Sequence, residues 1–162
     1  MLYAILAVAL ILVDQFTKIL TRVHIDPGES LPFIPHVLEL TYIENTGAAF
    51  SILEDHTWLL TVFSAIIVLV IAWLILKKFF TNWVGMLSAT LILAGGVGNL
   101  IDRAVFGYVT DMIKTIFMDF PVFNFADCCI TVGVVLLVIY VLFFCKEEKK
   151  EADHGTDLPT NH

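Results

Sequence analysis

Three stretches of this chain are apolar over nearly the length a lipid bilayer demands and a fourth begins as one, and that restricts the fold more than any other feature. About 20 residues of helix cross the hydrocarbon core. Lipid offers the backbone no hydrogen-bond partners, so a run of this length has to satisfy its own groups as a helix. Residues 58–76, 83–101 and 125–144 each approach that length, the first with only Thr61 and Ser64 as mild polar interruptions. The remaining run is different: Leu2 to Val13 is too short, so its helix must continue through Asp14 and Lys18 to about Val23, which puts an acid and a base inside the membrane. A composition that is 59% hydrophobic and a mean hydropathy of +0.89 lie well outside the range of soluble domains. The expected fold is an all-α polytopic membrane protein, with spans over about 2–23, 58–76, 83–101 and 125–144 in a single membrane-embedded domain, residues 1–145. No basic segment precedes the first span and no small-residue cleavage pattern follows it, so it reads as a retained helix.

Between the first two spans, residues 24–56 have the composition of a solvated region. Pro27, Gly28, Pro32 and Pro35 prevent a helix there. From Val37 to Ile43 polar Glu39 and Thr41 alternate with Leu38, Leu40 and Tyr42, the pattern of a half-buried strand, so a small extracytoplasmic β-sheet is expected against the membrane. Asn45-Thr46-Gly47 closes it as a turn, and residues 48–53 read as a short helix or lid. On spacing alone Asn45 and Gly47 are ordinary turn residues. Residues 146–162 form a charged tail, expected to be cytoplasmic and disordered.

The net charge of -7 comes partly from that tail and partly from the segment Asp26 to Asp55, and no basic cluster argues for a nucleic-acid partner. Cys128, Cys129 and Cys145 all sit in or beside the last span and read as small apolar fillers. Lys77 and Lys78 follow the second span, and Lys146, Lys149 and Lys150 follow the fourth. With Lys18 and Arg103 paired to nearby carboxylates, the opposite side keeps only Arg22 and Lys114, so both termini are expected in the cytoplasm.

Against this background the second half of the chain is anomalous. Asn99, Asp102, Arg103, Asp111, Asn124 and Asp127 fall within thirty residues, and charge within lipid costs about 3 kcal/mol or more per group. Counting 1.5 Å per residue from the cytoplasmic ends, Asp102 and Asp127 both lie roughly 27 Å along their helices, and Asp111 lies in the connection that starts at that boundary. With Asp14, these acids converge near the outer leaflet. Asp14 and Lys18 are four residues apart on one helix face, either neutralising each other or facing a site. Asp102 is expected either in that site or in a salt bridge to Arg103 or Lys114.

Two carboxylates in one desolvated site cannot both ionise cheaply, so one keeps its proton. Such a pair can hold a water, remove its proton as it attacks a carbonyl, and donate to the oxyanion that develops. No His-Glu-x-x-His metal motif occurs, the five histidines lie in exposed segments or the tail, and serine has no matching His and Asp constellation. These patterns leave two classes open, a membrane hydrolase and an ion-coupled transporter, because intramembrane acids also relay protons.

Four blocks of residues decide between them. Asp14-Gln15-x-Thr17-Lys18, Asn45-x-Gly47-Ala48-Ala49-Phe50, Gly98-Asn99-x-Ile101-Asp102-Arg103 with Gly107-Tyr108-Val109-Thr110-Asp111, and Phe123-Asn124-x-Ala126-Asp127 resemble, in order, the signature blocks of lipoprotein signal peptidase, or signal peptidase II. The resemblance implies an intramembrane aspartic endopeptidase of the bacterial cytoplasmic membrane. It would act without metal or other cofactor, as a monomer among membrane lipids, and cut a prolipoprotein just before its diacylglyceryl-modified cysteine. By match of motif Asp111 and Asp127 would be the catalytic pair, with Asn99, Asp102, Arg103 and Asn124 supporting them. Asp14, Lys18, Asn45, Gly47 and Ala126 would shape the substrate groove, and Gly47 to Leu53 would be the lid. Thr110 and Met112 depart from the family's usual aliphatic residue and Phe beside this Asp, a difference that bears on packing next to the attacking water.

Overall fold

The computed structural model describes residues 1–47 and 57–144. Its elements are α1 (Leu2–His24), β1 (Ser30–Ile34), β2 (Leu38–Asn45), α2 (Thr57–Leu76), α3 (Trp83–Phe106), β3 (Val109–Thr115) and α4 (Phe125–Phe144), whose last turn from Tyr140 is wound as a π-helix. The four helices are each long and apolar enough to cross a membrane. The expected lid residues after Gly47 and the tail after Cys145 lie outside the described residues.

Helix α3 sits at the centre, packed on α1, α2 and α4, and small residues let the neighbours approach it. A Cβ on Gly95 would run into the carbonyl of Ala126 and the side chain of Ile130 on α4. One on Gly98 would run into the carboxylate of Asp14 on α1. Close approach of this kind is how helices associate where lipid supplies no hydrophobic drive. Large side chains such as Trp58, Phe63, Leu69 and Trp73 of α2 point outward instead, as a lipid-facing surface does.

The two ends of the bundle differ in character. At one end, Ile71, Phe80, Val84, Ala89, Ile92 and Tyr140 form the apolar core. At the other, buried Val109, Met112 and Ala126 are interleaved with a polar cluster: Asp14, Lys18, Asn99, Asp102, Thr110, Asp111 and Asn124.

The sheet departs from expectation in one important way. It has three antiparallel strands in the order β1-β2-β3, so the region 24–56 supplies only two of them. The third comes from the stretch read as a simple connection between the last two spans, and it carries Asp111. Ile43 of β2 stands opposite Asp111, with a bulge between Leu40 and Ile43. β1 contains Pro32 at the sheet's edge, where a missing N–H is tolerated.

Helix α3 also extends beyond the expected Ile101 to Phe106, which keeps Asp102 and Arg103 on regular helix. It ends where Gly107 adopts φ 81 and returns its N–H to the carbonyl of Arg103, a left-handed stop that glycine accepts without strain. The chain can then turn at once into β3. At the other end of that connection Asn124 caps α4: its side chain accepts the N–H of Asp127, whose carboxylate accepts the N–H of Asn124.

Candidate active site

Asp111 and Asp127 line one cavity of about 550 Å³ together with Asn45, Asn99 and Arg103; its apolar wall includes Phe120, Val122, Phe123 and Ile130. Alternation along β3 accounts for the placement of Asp111, since Val109 and Asp111 face the cavity while Thr110 between them faces the other way. Asp127 reaches the same space from the first turn of α4.

Each carboxylate is held by asparagine amides, and each amide is itself oriented. Asn45 Nδ2 donates to Asp111 Oδ2 at 2.8 Å, and Gly47 N–H fixes that amide by donating to Asn45 Oδ1 at 3.0 Å. Asn124 Nδ2 donates to Asp111 Oδ1 at 2.6 Å, and Asp127 N–H donates to Asn124 Oδ1 at 3.0 Å. Asn99 Nδ2 donates to Asp127 Oδ1 at 2.8 Å, while Lys18 Nζ donates to Asn99 Oδ1 at 2.8 Å. An amide whose oxygen takes a cation or a backbone N–H must present its NH2 group on the other side. The three asparagines are therefore unambiguous donors to the acids.

Behind this layer lies a buried ionic network. Lys18 Nζ is 3.0 Å from Asp14 Oδ2 and 3.5 Å from Asp102 Oδ2, with all three side chains essentially inaccessible. Asp14 Oδ1 accepts the N–H of Ala126 at 3.0 Å, which ties α1 to the start of α4. Gln15 Nε2 donates to Asp14 and to the carbonyl of Gly98. Asp102 Oδ2 accepts the N–H of Thr110 at 2.9 Å, and Arg22 Nη1 lies 3.6 Å from Asp102 Oδ1.

The fold thus brings every residue singled out in the sequence either to the cavity or to the network behind it, but two pairings differ from the sequence reading. Asp102 pairs with Lys18 and Arg22 and not with Arg103 or Lys114, because the helix projects Arg103 to a different side. Lys114 pairs with Glu39 across the sheet at 3.1 Å. Among the described residues Arg103 donates to the carbonyl of Gly47, at 3.5 Å, and its Nε is buried without a hydrogen-bond partner. The Asp14–Lys18 alternatives also resolve jointly: the two neutralise each other and face the site through Asn99. Gln15 and Thr110, which the motif blocks contain without a role, and Arg22, which no block contains, also belong to the network. Arg22 had a signal, since Asp14, Lys18 and Arg22 recur every four residues on one face of α1.

Burial, and next the charge of Asp127, push the carboxyl of Asp111 from its ordinary 3.8 up to about 6. The amides of Asn45 and Asn124 and the charge of Lys18 oppose that rise. A carboxyl displaced this way is neutral in conditions where an exposed one is ionised, which suits it to donate a proton beside an ionised partner. Among the described residues no cluster of three or more His, Cys, Asp or Glu could hold a metal ion.

Known proteins resemble the chain over nearly its whole length. Residues 6–143 match the family described as signal peptidase (SPase) II. The chain is 40% identical over 155 residues to a lipoprotein signal peptidase of Enterococcus faecalis, covering 96% of each protein. It is 42% identical to one of Streptococcus pyogenes serotype M2, covering 95% of this chain and 97% of the relative. A solved bacterial membrane enzyme superposes with a TM-score of 0.81 at 32% identity, covering 99% of this chain and 93% of the other. A second superposes with a TM-score of 0.80 at 35% identity, covering 88% and 93%.

Proposed function

From the premise that the chain belongs to the signal peptidase II family, we propose that Asp111 and Asp127 are the pair of acids with which it works. The protein is a multi-pass membrane peptidase of the aspartic type that removes signal peptides from prolipoproteins. The observation that carries the assignment is the shared cavity, in which two carboxylates from separate elements face each other's space and one of them is pushed toward neutrality.

The pair holds one proton between them. A water bound across both gives up a proton to the ionised carboxylate as it attacks the scissile carbonyl, and the neutral acid donates to the oxyanion. Collapse of the tetrahedral intermediate returns a proton to the leaving amine. Asn45, Asn99 and Asn124 hold the two acids in register for this exchange; behind them Lys18 holds Asn99, Asp102 holds the strand through Thr110 N–H, and Asp14 holds the start of α4 through Ala126 N–H. Arg103, whose buried Nε at the cavity wall has no partner among the described residues, supplies a donor for a substrate carbonyl. Gly47 and Ala126 act through their backbones, Gly47 N–H on Asn45 and Ala126 N–H on Asp14.

The apolar wall of Phe120, Val122, Phe123 and Ile130 suits a substrate that brings lipid with it, and cleavage just before a diacylglyceryl-modified cysteine fits that wall. The site would then lie near the outer leaflet of the bacterial cytoplasmic membrane with both termini inside. Lys77 and Lys78 stand at the end of the bundle opposite the acids, whereas on the acids' own side the basic residues Lys18, Arg22 and Lys114 are each matched by a carboxylate. The working unit is a single membrane-embedded domain over residues 1–145, acting as a monomer. The deciding experiment is cleavage of a synthetic diacylglyceryl prolipoprotein peptide by the purified protein and by Asp111→Asn and Asp127→Asn. Both variants should reach the membrane and leave the substrate intact; turnover by either refutes the pair.

A further inference from the structure

The side of β3 that faces away from the cavity carries a second set of contacts. Thr110 is buried and is held twice: its N–H donates to Asp102 Oδ2 at 2.9 Å, and its hydroxyl accepts from Arg22 Nη1 at 2.7 Å. Arg22 closes the loop, because the same Nη1 lies 3.6 Å from Asp102 Oδ1. Its guanidinium also lies 4.5 Å over the ring of Phe106, at the end of α3, so the arginine is itself braced. Backbone N–H, carboxylate, guanidinium and hydroxyl thus form one cycle through three elements, α1, α3 and β3.

Successive side chains on a strand point to opposite faces. Fixing the peptide and the side chain of Thr110 therefore fixes the pleat from which the next residue, Asp111, projects into the cavity. The ladder to β2 pairs Thr110 with Glu44 and Asp111 with Ile43 but is broken just beyond them by the bulge between Leu40 and Ile43, where Phe123 instead accepts the N–H groups of Met112 and Ile113. The two amides on Asp111 orient its carboxylate but do not hold its Cα.

We infer that Arg22 and Thr110 are positioning residues for the reaction: with Asp102 they form a latch that sets the place of Asp111 from behind. Neither lines the cavity, so the latch acts through the strand and not on substrate. The inference rests on Asp111 being one of the reacting pair.

The test uses the full-length protein in detergent with a lipidated prolipoprotein peptide, reading kcat and KM separately. Thr110→Val keeps the shape and removes the hydroxyl, and Arg22→Gln removes the charge and the fork. Each should lower kcat roughly tenfold at nearly unchanged KM, within the loss expected when a reacting group is displaced by a fraction of an ångström. Thr110→Ser, which keeps the hydroxyl, should recover most of that loss. The double variant Arg22→Gln/Thr110→Val should be little worse than either single change, as for two members of one interaction. Arg22 is partly exposed, so its variant keeps the test available if Thr110→Val folds poorly. Wild-type kcat in both single variants, a Thr110→Ser as slow as Thr110→Val, or losses that simply multiply in the double variant would each overturn the latch. Asp111→Asn measured alongside separates the two ideas: an active Asp111→Asn removes the premise, whereas an inactive one beside fully active latch variants removes the latch alone.

Discussion

Replacing Asp111 by Asn should destroy activity and remove a pH-dependent destabilisation, and the size of the second effect follows from the site. Asp111 is only 2% exposed, and its carboxyl is pushed from 3.8 to about 6, first by burial and then by the charge of Asp127. A tenfold change in proton affinity is worth roughly 1.4 kcal/mol, so holding that proton to higher pH corresponds to about 3 kcal/mol. The sign is set by which state keeps the proton. Below about pH 4 folded and unfolded chains both carry it and the group is neutral in its effect. Between there and about pH 6 the unfolded chain releases the proton while the folded one retains it, so wild-type stability falls as pH rises. Above pH 6 the folded state bears the buried charge and the loss is complete.

Asparagine cannot titrate, so the stability difference between variant and wild type should grow by about 3 kcal/mol from pH 3 to pH 7 and then level off. The offset of that curve contains an opposing effect. The carboxamide introduced at position 111 would present one NH2 group toward two amide donors, Asn45 and Asn124, each already oriented by a backbone N–H. The pH dependence of the difference is free of this offset, which makes it the quantity to measure. For a chain of this size it appears as a relative gain of about 6 to 12 °C in melting temperature between the two pH values, readable by thermal unfolding in detergent. A difference that stays flat from pH 3 to pH 7 would refute both the raised proton affinity and the shared-proton chemistry built on it.

Other expectations follow from the same geometry. Asp127→Asn should be inactive as well, and by removing the nearby charge should move the titration of Asp111 to lower pH, seen as a shift of the stability profile relative to wild type. Wild-type kcat/KM should give a bell-shaped pH profile belonging to the pair, with its alkaline limb near pH 6 in the free enzyme and higher in kcat, since bound substrate removes more water; a monotonic profile would contradict it. Lys18→Met leaves Asp14 and Asp102 buried without their shared cation and should destabilise by about 3–5 kcal/mol, measured by thermal or denaturant unfolding. Gly98→Ala puts a methyl group against the Asp14 carboxylate and should lower both melting temperature and activity. Gly107→Ala, which has open space but a positive φ, should cost only about 1 kcal/mol.

Much of this site was legible because membranes make polarity expensive. Asp14, Lys18, Asp102 and Asp127 stand out in apolar runs, and helical rise alone places Asp102 and Asp127 at one depth and Asp14 in the same half of the membrane. What could not be read was geometry set by strand pairing. Nothing local marks Val109–Thr115 as a strand of the same sheet as Leu38–Asn45, because the signal is a partner about 70 residues away, and Lys114 breaks the apolar pattern. The same distance hid the true partner of Lys114, which is Glu39. The alternative that pairs Asp102 with Arg103 or Lys114 fails for a related reason. Adjacent residues such as Asp102 and Arg103 diverge by about 100° on a helix, so neighbours in sequence are poor candidates for a pair. Arg22, eight residues beyond Asp14, is a better one.

The charges at the site also bear on the proton that the chemistry needs. Behind the cavity Asp14 and Asp102 are matched by Lys18 and Arg22. Among the described residues that leaves Arg103, which interacts electrostatically with Asp127, Asp111 and Asp102, as the remaining cation for two more carboxylates, Asp111 and Asp127. Four acids against three bases balance only when one acid is protonated. A buried net charge is costly, of the order of several kcal/mol, so the arrangement of cations favours the singly protonated pair over both the doubly ionised and the fully neutral one. The network around Lys18 would then do more than hold asparagines in place: by committing two cations to Asp14 and Asp102 it leaves the pair one positive charge short. An added cation at the cavity wall should therefore release the shared proton. Thr131→Lys, on a residue that lines the cavity, is expected to shift the alkaline limb of kcat/KM to lower pH, and an unmoved or raised limb would show that the balance of charge does not set the proton count.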